Sequence, residues 1–114
     1  MKKNNIHTKV IIIGAGPAGV SAAIQLKRLD IDFVIFNKDE KIGGLLRNAN
    51  LIENIPSYSK GILAKKFIKK LEKHLSNLEI DICEQEVLSI DFQNDKFILT
   101  LDKSITTYSA DFLI

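Results

Sequence analysis

The chain reads as an incomplete doubly wound α/β domain: a parallel sheet with helices on its faces, an antiparallel β-meander as crossover, and a last strand cut short at the C-terminus. Three observations lead there. A β-branched run over residues 9–13 flows directly into Gly14-Ala15-Gly16-Pro17-Ala18-Gly19, and a helical pattern and a second apolar run follow it. Three short strand-like segments separated by polar turns then fill the last part of the sequence. The 114 residues hold one domain and one modest core, so the expected organisation is a flexible leader over residues 1–8 and a partial domain over residues 9–114.

Residues 1–8 are polar and lack periodicity, the pattern of a frayed leader. Residues 9–13 are a continuous run of the kind buried on both faces of a parallel sheet. Over residues 17–29 the pattern becomes helical: Gly19, Ala22 and Ala23 make a small-residue face for close approach to a sheet, and Val20, Ile24 and Leu26 add apolar contacts. A tight connection at residues 29–31 leads into a second strand, 32–36, completing a βαβ unit.

Gly43 and Gly44 open a loop that runs through Ser59 and carries Asn48, Asn50, Asn54 and Pro56; loops of that length in small domains are functional or disordered. Residues 61–75 resume an amphipathic helix, with Leu63, Ala64, Phe67, Ile68, Leu71 and Leu75 on one side and Lys65, Lys66, Lys69, Lys70 and Lys73 on the other. A solvated lysine face is favoured over a membrane-docking one, because the apolar side is needed to cover the sheet. Residues 78–83 are a third strand, with Cys83 as a small core residue. Segments 87–92, 96–101 and 105–109 follow, separated by Gln93-Asn94-Asp95 and Asp102-Lys103-Ser104, the signature of a small meander. Residues 111–114 begin one more buried strand, expected beside the first.

Composition narrows the class. Hydrophobic residues at 46% and charged residues at 26% describe a soluble globular protein, and 7% aromatics without tryptophan offer no stacking platform for nucleic acid. A net charge of +2, spread over the chain, is far from the basic stripe of a nucleic-acid binder. Cys83 is the single cysteine, which excludes an intrachain disulfide and any C-x-x-C pair, so the default address is cytoplasmic. Lys2, Lys3 and Lys9 before the apolar residues 10–24 superficially resemble a secretory signal. Three glycines and a proline interrupt that run, a helical pattern continues past it, and no polar cleavage region follows.

In a G-x-G-x-x-G turn the first glycine permits the strand-to-helix bend, the second leaves no Cβ between backbone and pyrophosphate, and the third lets helix and strand pack closely. Gly14, Gly16 and Gly19 take those roles. The helix that follows aims unpaired N–H groups and the positive end of its dipole at the phosphates, and Pro17, beside Ala18 in the first turn, sacrifices no needed donor. About twenty residues on, at the end of the second strand, such sites place an Asp or Glu on the adenosine ribose. Here that position is Asn37, followed by Lys38. An amide oxygen accepts from a hydroxyl but forgoes the charge-assisted bond, a loss on the order of 1 kcal/mol. Asp39 and Glu40 are nearby substitutes, and without the acid a 2′-phosphate is not repelled, which leaves NADP open on this residue alone.

The glycine turn, together with Ile42-Gly43-Gly44-Leu45-Leu46 and Ile52-Glu53-Asn54-Ile55-Pro56, resembles the FAD-binding start of the thioredoxin reductase-like flavoproteins, within the pyridine nucleotide disulfide oxidoreductase superfamily. The resemblance covers essentially the whole chain after the leader, including Ser109-Ala110-Asp111-Phe112-Leu113-Ile114, similar to the approach to that family's Ala-Thr-Gly turn. It implies a Rossmann-like FAD/NAD(P)-binding domain with FAD as first cofactor. Gly43, Gly44 and Leu45 would pass along the flavin half, Asn54 would lie near the isoalloxazine, and Val87 would offer a backbone contact to adenine. Asn37 and Lys38 complete the expected cofactor-binding set.

The departures from the family pattern are specific. Asn37 replaces the acid, Ser57-Tyr58 stands where a glycine-containing turn is common, and the chain stops before the Ala-Thr-Gly turn. The NAD(P)H-binding domain, its redox cysteine pair and the late Gly-Asp segment are absent. Tyr58, His7 and His74 form no acid–base constellation, and no metal ligand set or catalytic residue is assigned. The expected function is therefore the N-terminal FAD-binding portion of a thioredoxin reductase-like NAD(P)H-dependent flavin oxidoreductase, inactive alone. The alternative is a non-catalytic FAD- or NAD(P)-binding module, or one subunit of a split flavoprotein completed by a second polypeptide. Neither nucleic acid nor membrane is expected as a partner.

Overall fold

The computed structural model describes residues 4–103 and 105–114. Met1 to Lys3 of the expected leader and Ser104 of the expected last turn lie outside the described residues. In chain order the elements are β1 (Asn5–Ile13), α1 (Pro17–Arg28), β2 (Phe33–Asn37), a 3-10 turn (Gly44–Asn48), β3 (Leu51–Ile52), β4 (Ile62–Leu63), α2 (Ala64–Asn77), β5 (Cys83–Glu84), β6 (Val87–Gln93), β7 (Lys96–Leu101) and β8 (Thr107–Leu113).

Six strands form one sheet in the order β5-β2-β1-β8-β7-β6, and β3 and β4 form a separate two-stranded ladder. The neighbours β5, β2, β1 and β8 run parallel, while β6, β7 and β8 form the antiparallel meander that carries the chain across to β1. The βαβ unit is in place: Val10 pairs with Phe33 and Ile13 with Phe36.

The strand run at residues 10–12 is buried on both faces, as a parallel strand with β-branched residues should be. Val10 and Ile12 join Val20 and Ala23 of α1, Leu71 and Leu75 of α2, and Ile35 in one core. Ile11 faces the other way, into a second core with Phe36, Leu99, Leu101 and Ala110. Helix α2 buries Leu71 and Leu75 and leaves its lysines exposed. No helix among the described residues is long and apolar enough to cross a membrane.

Several boundaries differ from the sequence expectation, each for a local reason. Asn5 to Thr8 are not part of a frayed leader: they extend β1 and pair with Thr107 to Ala110 of β8. Asn5, Ile6 and His7 are exposed and Thr8 is buried, so the backbone ladder to β8, with His7 Nδ1 at 2.9 Å from Ser109 Oγ, holds this stretch. Gly61, at φ +83, closes a turn by donating its N–H to Tyr58 O at 2.9 Å, and β4 intervenes before α2 begins at Ala64.

The expected third strand, residues 78–83, shrinks to Cys83–Glu84. Leu78 and Ile80 donate backwards to His74 O and Leu75 O, and Glu79 sits at φ +57, so this stretch is the exit turn of α2. The expected segments 105–109 and 111–114 merge into β8, which lies beside β1 as anticipated. Asn94 and Asp95, at φ +53 and +61, make the two-residue turn of the β6–β7 hairpin, a primed geometry that matches strand twist.

Two features generate tests. A Cβ at Gly19 would run into the carbonyl oxygen of Gly14 and crowd Ile12, so helix and strand approach closely only because no side chain is there. Gly19→Ala is expected to lower unfolding stability in urea by ~2–3 kcal/mol; an unchanged midpoint would show that α1 simply shifts away. The second feature is Asp111, which ties three strands together through Lys96 of β7 at 2.7 Å and Lys9 of β1 at 3.2 Å, with His7 Nε2 at 3.6 Å.

The hydrogen bond from Lys96, then that from Lys9, holds the Asp111 carboxyl below the ordinary carboxylate range. A carboxyl with a lowered folded pKa adds stability that is present above its unfolded pKa and lost as pH falls through the folded value. Urea midpoints should therefore fall on acidification, and Asp111→Asn should flatten part of that fall. Parallel acid limbs for the two proteins would show that the network contributes nothing.

Candidate functional site

The glycine turn lies at the carboxyl end of β1, where ligands bind in open α/β sheets. Gly14, at φ +96, makes the bend that a Cβ would strain, and its N–H donates to Phe36 O at 2.8 Å, anchoring the turn to β2. Gly16 is the N-cap of α1 in an extended conformation, and Pro17 occupies the first helical turn. Among the described residues the amides of Gly16, Ala18 and Gly19 meet no protein acceptor; the first donor with an internal partner is Val20, to Gly16 O at 2.9 Å. A Cβ added at Gly14 or Gly16 meets no atom within 4 Å. Three amides without a protein acceptor thus gather at a helix N-terminus, with open space beside Gly14 and Gly16, which is the chemistry of a pyrophosphate cradle. These residues fit a dinucleotide.

The end of β2 is less like the usual ribose site. Asn37 Oδ1 accepts from the Ala15 N–H at 3.1 Å, and its Nδ2 donates to Asp39 O at 2.6 Å and Lys41 O at 3.0 Å. The side chain thus fastens the glycine turn to the loop after β2, and one lone pair of Oδ1 stays available for a hydroxyl. Asp39 is already engaged, accepting from the Lys41 N–H at 3.0 Å and from Arg47 at 3.1 and 3.3 Å. Partial desolvation pushes its pKa up, but the Lys41 amide and Arg47 outweigh this and hold the carboxyl below its ordinary range.

The loop carrying the glycine pair packs directly onto the cradle. Gly43 donates to Ala15 O at 2.8 Å. Its φ of +112 disfavours any side chain and a Cβ there would press on the Ile68 side chain at 2.8 Å, while a Cβ at Gly44, φ +56, would touch Gly16 Cα at 3.4 Å. Leu45, next in the 3-10 turn, is 88% exposed. Asn54 sits in the connection between β3 and β4, exposed and without a hydrogen bond to the glycine turn.

A cleft of about 250 Å³ adjoins the cradle on the β2 side, lined by Ile13, Gly14, Asn37, Lys38, Gln85, Glu86 and Val87 among others. The fold therefore gathers Gly14, Gly16, Pro17, Ala18, Gly19, Asn37, Lys38, Gly43, Gly44 and Val87 into one neighbourhood, and leaves Leu45 and Asn54 at the surface. Gln85 and Glu86 enter the cleft unannounced: the link between β5 and β6 carries no periodic signal. Cys83 is half-buried and unpaired, with Gln85 Nε2 at 3.5 Å from its sulfur.

Comparison with known proteins agrees with this geometry. The family model for pyridine nucleotide-disulphide oxidoreductases matches residues 8–114. A thioredoxin reductase from Buchnera aphidicola subsp. Baizongia pistaciae is 34% identical over 108 residues, covering 95% of this chain and 32% of that protein. Among solved structures, a ferredoxin-flavin thioredoxin reductase from Clostridium acetobutylicum superposes with a TM-score of 0.82 at 28% identity, covering 94% of this chain and 36% of the other. A thioredoxin reductase from T. acidophilum gives 0.78 at 31% identity, covering 94% and 34%. The chain spans about a third of the length of these relatives. With the strand order, the glycine cradle and the family match in agreement, the chain belongs to the pyridine nucleotide-disulphide oxidoreductase family.

Proposed function

We propose that this chain is the N-terminal, FAD-holding portion of a thioredoxin reductase-like, NAD(P)H-dependent flavin oxidoreductase. The observation that carries the proposal is the trio of amides at Gly16, Ala18 and Gly19 without a protein acceptor among the described residues, beside open space at Gly14 and Gly16 and with Gly44 packed against Gly16. When bound, FAD supplies the group that accepts a hydride and passes electrons on. The protein's part is positioning. The three amides and the dipole of α1 hold the pyrophosphate, and Asn37 offers its oxygen to a ribose hydroxyl while keeping the turn and loop together.

The backbone at Gly43 and Gly44, with Leu45, would border the flavin half of a bound FAD, and the exposed Asn54 would be the loop residue on the side of the ring. Nothing among these side chains serves as acid, base or nucleophile for hydride transfer. The NAD(P)H site and a redox-active pair are therefore supplied outside these residues, on the same or a second polypeptide. The presence of one cysteine, half-buried, is compatible with a reducing, cytoplasmic setting.

Two measurements test this reading. Gly16→Ala places a methyl where the pyrophosphate would lie but touches no protein atom, so FAD affinity measured by calorimetry should fall at least about tenfold while urea stability falls by no more than ~1 kcal/mol, the cost of the poorer N-cap. FAD binding of equal strength in both proteins would reject the cradle. The second measurement is NADPH oxidation by the 114-residue chain with added FAD, expected to match a no-protein control. Steady turnover above that control would show that the chain is a complete catalyst.

A further inference from the structure

The cleft beside the glycine cradle contains one polar atom that the fold leaves unsatisfied. Gln85 lies between β5 and β6 and forms part of the cleft wall with Lys38 and Val87. Its Oε1 is shut off from solvent and has no hydrogen-bond partner among the described residues. Buried acceptors in folded proteins are nearly always paired, and an unpaired one destabilises the fold that carries it. The other end of this amide is held weakly: Nε2 reaches only Cys83 Sγ, at 3.5 Å, and a thiol sulfur is a poor acceptor. The backbone beneath is fixed, with the Gln85 N–H on Cys83 O at 3.0 Å and the Glu86 N–H on Asp102 Oδ1 at 2.9 Å. The side chain can therefore turn about its own bonds into the cleft without breaking a strong contact.

The order of ligand groups along the site identifies the donor it would meet. The pyrophosphate belongs at the amides of Gly16, Ala18 and Gly19, and the ribose at Asn37, the end of β2. The base then falls beyond Asn37, in the cleft walled by Lys38, Gln85, Glu86 and Val87. Adenine carries a single donor group there, its exocyclic amine. The Lys38 ammonium cannot accept from it; beside the backbone contact expected at Val87, Gln85 is the lining side chain whose acceptor is buried without a partner among the described residues.

We infer that Gln85 selects adenine in the bound dinucleotide, its side-chain oxygen turning into the cleft to accept the exocyclic amine. The inference rests on the dinucleotide reading of the glycine turn and adds to it the residue that reads the base.

The test uses the 114-residue chain with ADP, IDP, FMN and FAD as probes, each titrated into wild type and Gln85→Met, a variant of similar length and no hydrogen-bonding amide. IDP differs from ADP by a carbonyl in place of the amine, and FMN lacks the adenosine. Wild type is expected to prefer ADP over IDP by about fivefold, a preference that Gln85→Met abolishes while FMN affinity stays the same. The variant should also melt at a higher temperature than wild type without ligand, because the orphaned acceptor is gone. A residue acting only through packing would move neither the ADP to IDP ratio nor its dependence on the amide.

Equal affinity of wild type for ADP and IDP would overturn the inference, as would a preference that survives in Gln85→Met. FAD binding unaffected by Gln85→Met would reject the role of Gln85 and leave the FAD proposal standing. A Gln85-dependent ADP preference in a chain that does not bind FAD would support Gln85 and reject FAD as the ligand. Failure to bind any of the adenine probes would reject both.

Discussion

The approach of α1 to the end of β1 is the constraint from which the site follows. Gly19 has no side chain, so the helix settles with its first turn against the carbonyl of Gly14, and the axis of α1 is thereby aimed at the strand end. That placement leaves the amides of Gly16, Ala18 and Gly19 pointing away from any protein acceptor. The glycines divide the work on opposite sides of the turn. Gly19 faces inward, where added atoms collide with protein, and Gly16 faces outward, where an added Cβ meets no protein atom within 4 Å. One constraint is about folding and the other about binding, although they lie three residues apart.

Asn37 links this turn to the next loop, and its chemistry differs from the acid it replaces. A carboxylate at that position accepts a ribose hydroxyl with charge assistance but has no donor for the carbonyls of Asp39 and Lys41. The amide satisfies both carbonyls and the Ala15 N–H at once. The forgone charge-assisted bond is worth on the order of 1 kcal/mol, comparable to each neutral hydrogen bond gained. A single residue thus exchanges cofactor grip for loop order. The order extends outward, since the Asp39 carboxylate, positioned by the same loop, engages Arg47 of the 3-10 turn, next to the glycine pair.

The βαβ unit and the cradle were legible in the sequence because both are local: a β-branched strand, three glycines at fixed spacing and an amphipathic helix leave their marks within about thirty residues. Features held by long-range backbone pairing left none. Asn5 to Thr8 are strand only because β8 lies beside them, and the exposed side chains of Asn5, Ile6 and His7 carry no periodic signal. Residues 78–82 are apolar enough to read as a strand, yet Ile80 is buried as part of the exit turn of α2. Short apolar runs do not distinguish the two. Segments 105–109 and 111–114 read as separate in the sequence, whereas Ser109 and Ala110 are buried inside a continuous β8. The three hydrogen bonds of Asn37 and the isolation of Gln85 are tertiary facts with no counterpart in spacing.

The two halves of the site also differ in how they are made. The cradle is assembled from residues 13–37, by contacts that a single βαβ unit supplies. The wall proposed to meet the base comes from residues 85–87, and is joined to the cradle through the pairing of β5 with the end of β2 at Phe36 and Asn37. That pairing is two residues long, so the wall is attached by little backbone structure. An acceptor left unpaired in such a wall weakens the ligand-free fold, and a donor brought by the ligand removes the penalty. The free-energy gap then appears as affinity and as specificity for the donor, while the phosphate cradle, indifferent to the base, contributes affinity alone.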